Sequence, residues 1–256
     1  EGLNWYNQTD IENTPGGSPV GWGLSQFAPD TDWVNAGYSL EDLVGKPYIK
    51  LRVAIGTGER TTLGNQGFAF DNFFIGQRFR GSVLEYFTNA SSAEAGDAND
   101  LVETFTHEHP GIVYDLHYHM DYPGADPMNL NNPYPPSTRA FFYGVQTVPY
   151  ALLNGGMTDG HRYDFSDPSG EPDSESLLEA SLEVPLFNLK LQVDYLEDRL
   201  KGNARVICAT DGFTSNLQFY LAVVEREQTA YSGLVRDTFR NVVLDMLPSA
   251  AGKLLA

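Results

Sequence analysis

Four of the five histidines fall between His107 and His119. His117 and His119 stand two apart in the run Ile112-Val113-Tyr114-Asp115-Leu116-His117-Tyr118-His119-Met120, so a strand places both on one face with Asp115 and Asp121. His117, His119 and Asp121 are a donor set for zinc or another transition metal, with a position left for water, as a metal-dependent hydrolase requires. The plainer reading has His119 hydrogen-bonded to the Pro-rich loop that follows, with His107 and His109 on a solvated helix end. His-x-His alone is a weak signal, and the plainer reading is preferred.

A second chemistry is recognition. Tyr118, Tyr122, Tyr134, Phe141, Phe142 and Tyr143 surround a loop carrying Asn129, Asn131 and Asn132, and aromatic rings with amides stack on and hydrogen-bond a sugar or peptide. Packing of the loop's underside explains the same aromatics more simply. Other catalytic patterns are missing from the sequence: there is no Gly-x-Ser-x-Gly elbow, no His-Glu-x-x-His and no phosphate-binding glycine loop. His107-Glu108-His109 has the wrong spacing, and no glycosidase pair can be singled out among 34 acidic residues.

Those 34 acids against 16 basic residues give a formal charge of -18, which repels a phosphate backbone and argues against nucleic-acid binding. The acidity reads as a solvated surface, with calcium sites as the alternative. No apolar run is long enough for a transmembrane helix. The single cysteine, Cys208, excludes an intrachain disulfide and, beside Val206, Ile207 and Ala209, reads as a buried strand thiol.

The elements that would position these groups follow from periodicity and punctuation. Glu1 to Pro29 is loop-like, and the chain is expected to be part of a longer protein. Tyr48–Ile55 and Gly67–Ile75 read as strands of a β-sandwich, and Gln77–Gly81 as a short connector. Val83–Asn89 is a strand, and Ser91 with Glu94 forms a capping box that opens a helix with Ala95, Ala98, Leu101, Val102 and Phe105 inward. The His-rich strand comes next, followed by loop from Asp121 to Pro136 and a short helix capped at Ser137 or Thr138 and ended by Gly144. Val148-Pro149 enters another strand that turns at Asn154-Gly155-Gly156. Ser174–Glu183 reads as an amphipathic helix with Leu177, Leu178 and Leu182 inward. Phe187–Val193, Ala204–Ala209, Leu217–Glu225 and Thr238–Leu247 read as strands of an immunoglobulin-like sandwich.

The run Val83–Asn89, Tyr118-His119 with Tyr122-Pro123-Gly124, Asp126-Pro127-Met128-Asn129, and Arg139 with Phe142-Tyr143-Gly144-Val145 and Val148-Pro149 resemble the thioredoxin-like outer-membrane protein family of bacterial surface proteins, many of them exported by the type IX route. Val223-Val224-Glu225 and Phe239 to Pro248 extend the likeness. The resemblance implies a thioredoxin-like domain over 82–184, a cis Pro149, and a strand-to-helix corner where dithiol relatives carry cysteines near Ser92 and Ala95. Without those thiols, Ser92, Ala95 and Pro149 form a degenerate dithiol corner and thiol-disulfide exchange is excluded. The same stretches single out His119, Tyr122, Asp126, Asn129, Arg139 and Tyr143 as candidate ligand-binding residues.

Asp42 to Lys46, Leu51-Arg52-Val53 and Gly67 to Asn72 resemble jelly-roll modules related to MAM domains. That likeness implies a partial sandwich over 1–78, with Asp71 in structural support and calcium ligation as the alternative. The expected architecture is therefore α+β and multidomain: a jelly-roll-like segment, a thioredoxin-like domain without Cys-x-x-Cys, and an incomplete C-terminal sandwich over 185–256. The expected role is non-enzymatic, in adhesion, ligand binding or assembly at the extracellular or outer-membrane surface of a bacterium. No cofactor is expected. The expected partners are a surface protein, peptide or glycan, together with the type IX machinery.

Overall fold

Ser82–Thr88 and Val113–His119 are buried at positions of both parities, so each strand needs cover on two faces and belongs in a sheet interior. The computed structural model describes residues 9–10, 20–21, 40, 43–51, 70–71, 73–77, 80–167, 172, 177–178, 180–183, 185–209, 216–229, 234 and 236–255. The chain divides into two units, Glu1–Gln77 and Arg78–Ala256.

In the first unit, β1 (Thr9–Asp10) pairs antiparallel with β2 (Val20–Gly21). The strands expected over Tyr48–Ile55 and Gly67–Ile75 lie mostly outside the described residues; 48–51, 70–71 and 73–75 are described and are not in strands.

The second unit is α+β. Its elements are β3 (Ser82–Thr88), α1 (Ala93–Glu108), β4 (Val113–His119), α2 (Pro127–Asn131), α3 (Tyr134–Tyr143), β5 (Tyr150–Leu153), β6 (Arg162–Asp164), β7 (Phe187–Leu196), β8 (Arg199–Cys208), β9 (Leu217–Phe219), β10 (Leu221–Thr229), β11 (Thr238–Leu247) and β12 (Lys253–Leu255). A mixed six-stranded sheet runs β10-β11-β4-β3-β5-β6. β3 and β4 are parallel across the α1 crossover, with Tyr86 opposite His117, and β5 returns antiparallel on the other side of β3. β7 with β8, and β9 with β12, form separate two-stranded sheets.

The alternation of β3 divides the core. Leu84 and Tyr86 join Val102 and Phe105 of α1 on one face, with Leu153 and Leu177. Phe87 packs on the other face with Tyr118, Leu152, Val243 and Met246. Each such side chain, fully buried, contributes about 1.5–3 kcal/mol.

Several boundaries differ from those expected. α1 is capped by Ser92, whose hydroxyl accepts from Ala95 N–H at 3.3 Å; Ser91 is engaged elsewhere, its Oγ donating to Ala125 O at 2.7 Å. The stretch read as continuous loop holds α2, because Asp126 caps it and Pro127 presets the first helical φ. α3 starts at Tyr134, earlier than expected, and ends at Gly144 with φ +72, a left-handed value that suits glycine. Within Ser174–Glu183, residues 177–178 are helical and Ala180–Leu182 form a 3-10 turn, while other residues of that stretch lie outside the description.

The segment 185–256, expected as a sandwich of its own, contributes β10 and β11 to the central sheet, with Val242 of β11 opposite His117 of β4. Phe239, Val242, Val243 and Met246 are buried and fall on both parities of β11. The strand therefore requires two-sided cover, which the edge beside β4 supplies. One compact unit, Arg78–Ala256, spans the position 184/185. Cys208, expected in a core, is exposed at the end of β8, in a ribbon that no third strand extends among the described residues.

Candidate functional site

The two central strands carry polar side chains inward on both faces. On the face toward α3, Glu85 shares its side of β3 with Phe87 and is 6% exposed. Arg139, from the buried side of α3, meets it in a fork: Nε donates to Glu85 Oε1 at 2.9 Å and Nη2 to Oε2 at 2.9 Å. The Tyr118 hydroxyl adds a bond to Oε1 at 3.1 Å, and Tyr143 donates to Oε2. The guanidinium carbon lies 4.3 Å from the Tyr220 ring centroid and 4.6 Å from that of Tyr143, within cation–π range. Burial, and then the Glu85 charge, push both the Tyr118 and Tyr143 hydroxyls upward in pKa. Burial works against the Arg139 charge, but Glu85 and the two tyrosines outweigh it and raise its pKa. The group is a closed ion pair with neutral tyrosine donors. Arg139 Nη1 is buried with no partner among the described residues.

On the opposite face, odd positions of β4 point toward α1, as alternation requires. His117 Nε2 lies 2.8 Å from Asp115 Oδ2, and Asn241 Nδ2 donates to Asp115 Oδ1 at 2.8 Å. Burial pushes the Asp115 carboxyl up, but the hydrogen bond and charge of His117, with the Asn241 bond, pull it below the usual range. His119, two residues on, has a different partner, with Nδ1 2.8 Å from Asp126 Oδ2. Its ring meets Phe239 edge-on at 5.4 Å, and Nε2 has no hydrogen-bond partner among the described residues. Burial lowers the His119 pKa more than Asp126 raises it. A neutral ring donating from Nδ1 to Asp126 leaves Nε2 as a lone pair.

Asp126 ties this face to the strand-to-helix corner. Its Oδ2 also accepts Ala90 N–H at 2.7 Å, and its Oδ1 accepts Met128 N–H at 2.8 Å and Asn129 N–H at 3.3 Å. Burial raises the carboxyl, but His119 and these amides together bring it below its ordinary value. Asn129 Nδ2 donates to His119 O at 2.7 Å, closing the bracket. Asn89 Nδ2 donates to Met120 O at 2.8 Å and to Gly124 O at 2.7 Å, while its Oδ1 accepts Ser91 N–H at 2.8 Å. The loop over 121–126 is thus sewn to the corner at Asn89–Ser91.

The structure brings His119, Asp126 and Asn129 together as one buried network, and Arg139 with Tyr143 as another. Tyr122, half-buried, donates to Val145 O at 3.3 Å. Each of the six is hydrogen-bonded within the chain. His117 and His119 are engaged by separate carboxylates and Asp121 is exposed. Among the described residues, no group of three or more His, Cys, Asp and Glu is placed to hold a metal ion. Asp71 is exposed in the first unit. At the corner, Ser92 and Ala95 are buried in the first turn of α1, and Val148–Pro149 is a cis peptide. On the outer side of α3, Phe141 is 90% exposed and Tyr134, seven residues earlier on the same helical side, 64%.

The residues that the sequence reading passed over are Glu85, Asn89, Asn99, Tyr220 and Asn241. Glu85 had a readable signal, as the one charge inside an apolar strand. Asn89 and Asn99, the latter accepting from Thr88 Oγ1 at 3.1 Å, had none, because asparagine at a strand end or in a helix is ordinarily solvated.

No family model matches the chain, and no curated protein matches it. Among solved structures, the crystal structure of protein AGR_C_4864 from Agrobacterium tumefaciens is similar at 16% identity, over 68% of this chain and 76% of that one, with a TM-score of 0.39. A likeness at that level carries no argument about fold or function.

Proposed function

We propose that the protein is a non-catalytic, exported surface protein whose second unit is a thioredoxin-like scaffold without its dithiol, used for ligand binding or assembly. The observation that carries this reading is the corner itself. Within the six-stranded sheet, the order β4-β3-β5-β6, with α1 crossing between two parallel strands and β5 returning antiparallel, supports a thioredoxin-type reading. At its strand-to-helix corner, the polar side chains of Asn89, Ser91, Ser92 and Asp126 are spent on backbone and loop. No thiol is present there, and a serine hydroxyl needs a dedicated base to act as a nucleophile. The exposed rings of Tyr134 and Phe141 on α3 are the surface for a peptide or glycan, since aromatic side chains give large contact area at low entropic cost.

A glycan and peptide array probed with the whole chain tests this. Retention of one ligand class, abolished in a Tyr134→Ser/Phe141→Ser variant that keeps its far-UV circular dichroism, supports it. No retained ligand, or binding unchanged in the variant, removes α3 as the surface. Stoichiometric zinc, iron or copper in the purified protein, lost in His117→Ala/His119→Ala, would overturn the non-catalytic reading.

A further inference from the structure

β7 and β8 form a ribbon of two ten-residue strands in unbroken antiparallel register from Phe187–Cys208 to Leu196–Arg199. Residues directly opposite share a face, so the register sorts the side chains. Phe187, Leu189, Leu191, Val193 and Tyr195 lie on one face, and their partners on β8 are Cys208, Val206, Ala204, Gly202 and Leu200. No member of that face is charged. The other face carries Lys190, Arg199, Lys201 and Arg205 with Asp194 as its one acid.

In a single chain most of the apolar face is open: Leu189 is 71% exposed, Leu191 55%, Tyr195 84% and Leu200 57%, while Phe187 and Val206 are half-buried and Leu221 lies beside Gly202. The ribbon is a two-stranded sheet, and an isolated two-stranded ribbon is marginal in water at best. The face therefore needs a cover.

We infer that the cover is the same face of a second copy of this chain, two ribbons packing face to face as a two-layer sandwich about a two-fold axis. Three observations select this occupant. The first is self-complementarity. The face offers no charge, and its side-chain hydrogen-bonding groups, the Tyr195 hydroxyl and the weakly polar Cys208 thiol, lie at its two ends, so an isologous contact buries apolar against apolar over its centre. The second is size. Ten residues at about 3.3 Å each give about 33 Å of length, and two strands with their overhanging side chains about 15 Å of width. That is about 500 Å² per copy and about 1,000 Å² for the pair, the lower bound for a specific interface.

The third is charge. The whole chain carries -18, so two copies repel over most of their surface. The ribbon's outer face holds four cations and one anion, making it a region where two acidic copies approach at little electrostatic cost. A bilayer is the competing cover. It is disfavoured because both edges of an open ribbon would bring unpaired N–H and C=O groups into hydrocarbon.

Sedimentation equilibrium of the wild-type chain between about 10 and 100 µM reads the proposal directly. The expected result is twice the mass of a single chain at the upper concentration. Leu189→Lys/Leu191→Lys should weaken the dimer at least tenfold, whereas Asn188→Asp/Gln192→Glu, on the opposite face, should leave the mass unchanged. If the lysine variant loses its circular dichroism, Leu189→Ser replaces it with the same expectation. A wild-type monomer at 100 µM overturns the proposal, and its flotation with phosphatidylcholine vesicles would assign the face to a bilayer. A dimer that persists undiminished in the folded face variants also overturns it. None of these outcomes depends on whether α3 binds a ligand.

Discussion

Replacing Arg139 by methionine is the sharpest perturbation of the interior, because Glu85 has nowhere else to send its charge. The carboxylate is 6% exposed and the guanidinium 3%, and two 2.9 Å bonds join them. Arg139→Met removes the cation at similar length and leaves the carboxylate with only the two tyrosine hydroxyls. Breaking a buried pair from one side costs about 3–5 kcal/mol, whereas replacing both members by neutral groups is often neutral. Glu85→Gln in the Arg139→Met background keeps an amide oxygen for Tyr118 and Tyr143 and removes the stranded charge. The double variant should therefore stand within about 2 kcal/mol of wild type although Arg139→Met alone does not. Urea unfolding at pH 7.5 of the wild type, both singles and the double measures the cycle, with unchanged m-values as the condition for comparison. An Arg139→Met cost below about 1 kcal/mol would refute the reasoning, and so would a double-variant cost equal to the sum of the singles.

The other face predicts a pH dependence. The His119 pKa is lowered in the folded chain, so the unfolded chain takes up the proton first as pH falls. Stability present above about 6.5 is then lost below it, with a slope of up to about 1.4 kcal/mol per pH unit. Asp115 and Asp126, also lowered, add a loss of the same sign below about pH 4. Urea midpoints from pH 7.5 to 5 should show the upper limb in wild type and a flatter one in His119→Asn; identical profiles would sink the assignment. Asp126→Ala strands the amides of Ala90 and Met128 and should cost about 1–3 kcal/mol for each buried donor left unpaired, with loss of hydrogen-exchange protection at those two amides. Asn241, at φ +49, bonds Asp115. Asn241→Ala should cost about 1–2 kcal/mol from backbone conformation plus the lost bond, and Asn241→Gly should recover the backbone share. Equal midpoints for the two variants would show that the left-handed backbone contributes nothing.

How far the sequence led can be judged residue by residue. β3, α1 and β4 were legible because periods of two and of three to four residues, with a capping serine, are local signals. α2 was readable too, since Asp126-Pro127 combines a cap with a first-turn proline, but the density of Pro and Asn around it read as loop. The placement of β11 was not legible. Buried positions of both parities show that a strand is interior, and nothing local says that its neighbour is β4, more than a hundred residues earlier. The partners of the buried charges were hidden for the same reason: Glu85 announces the need for a cation, but Arg139 lies 54 residues on. On β4, alternation correctly put Asp115, His117 and His119 on one face. It could not distinguish one shared metal site from two separate pairs, because Asp126 reaches His119 only after the chain has turned through the 121–126 loop.

That loop also decides what an introduced dithiol would do. Ser92 and Ala95 stand three apart in the first turn of α1, the spacing of a Cys-x-x-Cys pair. A helix N-terminus favours the thiolate, so Ser92→Cys/Ala95→Cys looks at first like a route to an oxidoreductase. The surroundings argue otherwise. Ser92 is 6% exposed and Ala95 fully buried, and the neighbouring residues Asn89 to Ser91 are sewn to Met120, Gly124, Ala125 and Asp126. An attacking thiolate must approach the substrate sulfur in line, which requires exposure of at least the first thiol. Burial in apolar surroundings also raises a thiol's pKa against the helix contribution. The double variant should therefore titrate with Ellman's reagent only after denaturation and should not accelerate insulin reduction by dithiothreitol. Ready reaction with the reagent in the folded state would show that the corner is open and that the 121–126 loop does not seal it. Turnover in the insulin assay would go further, showing that two introduced cysteines suffice to make this corner catalytic.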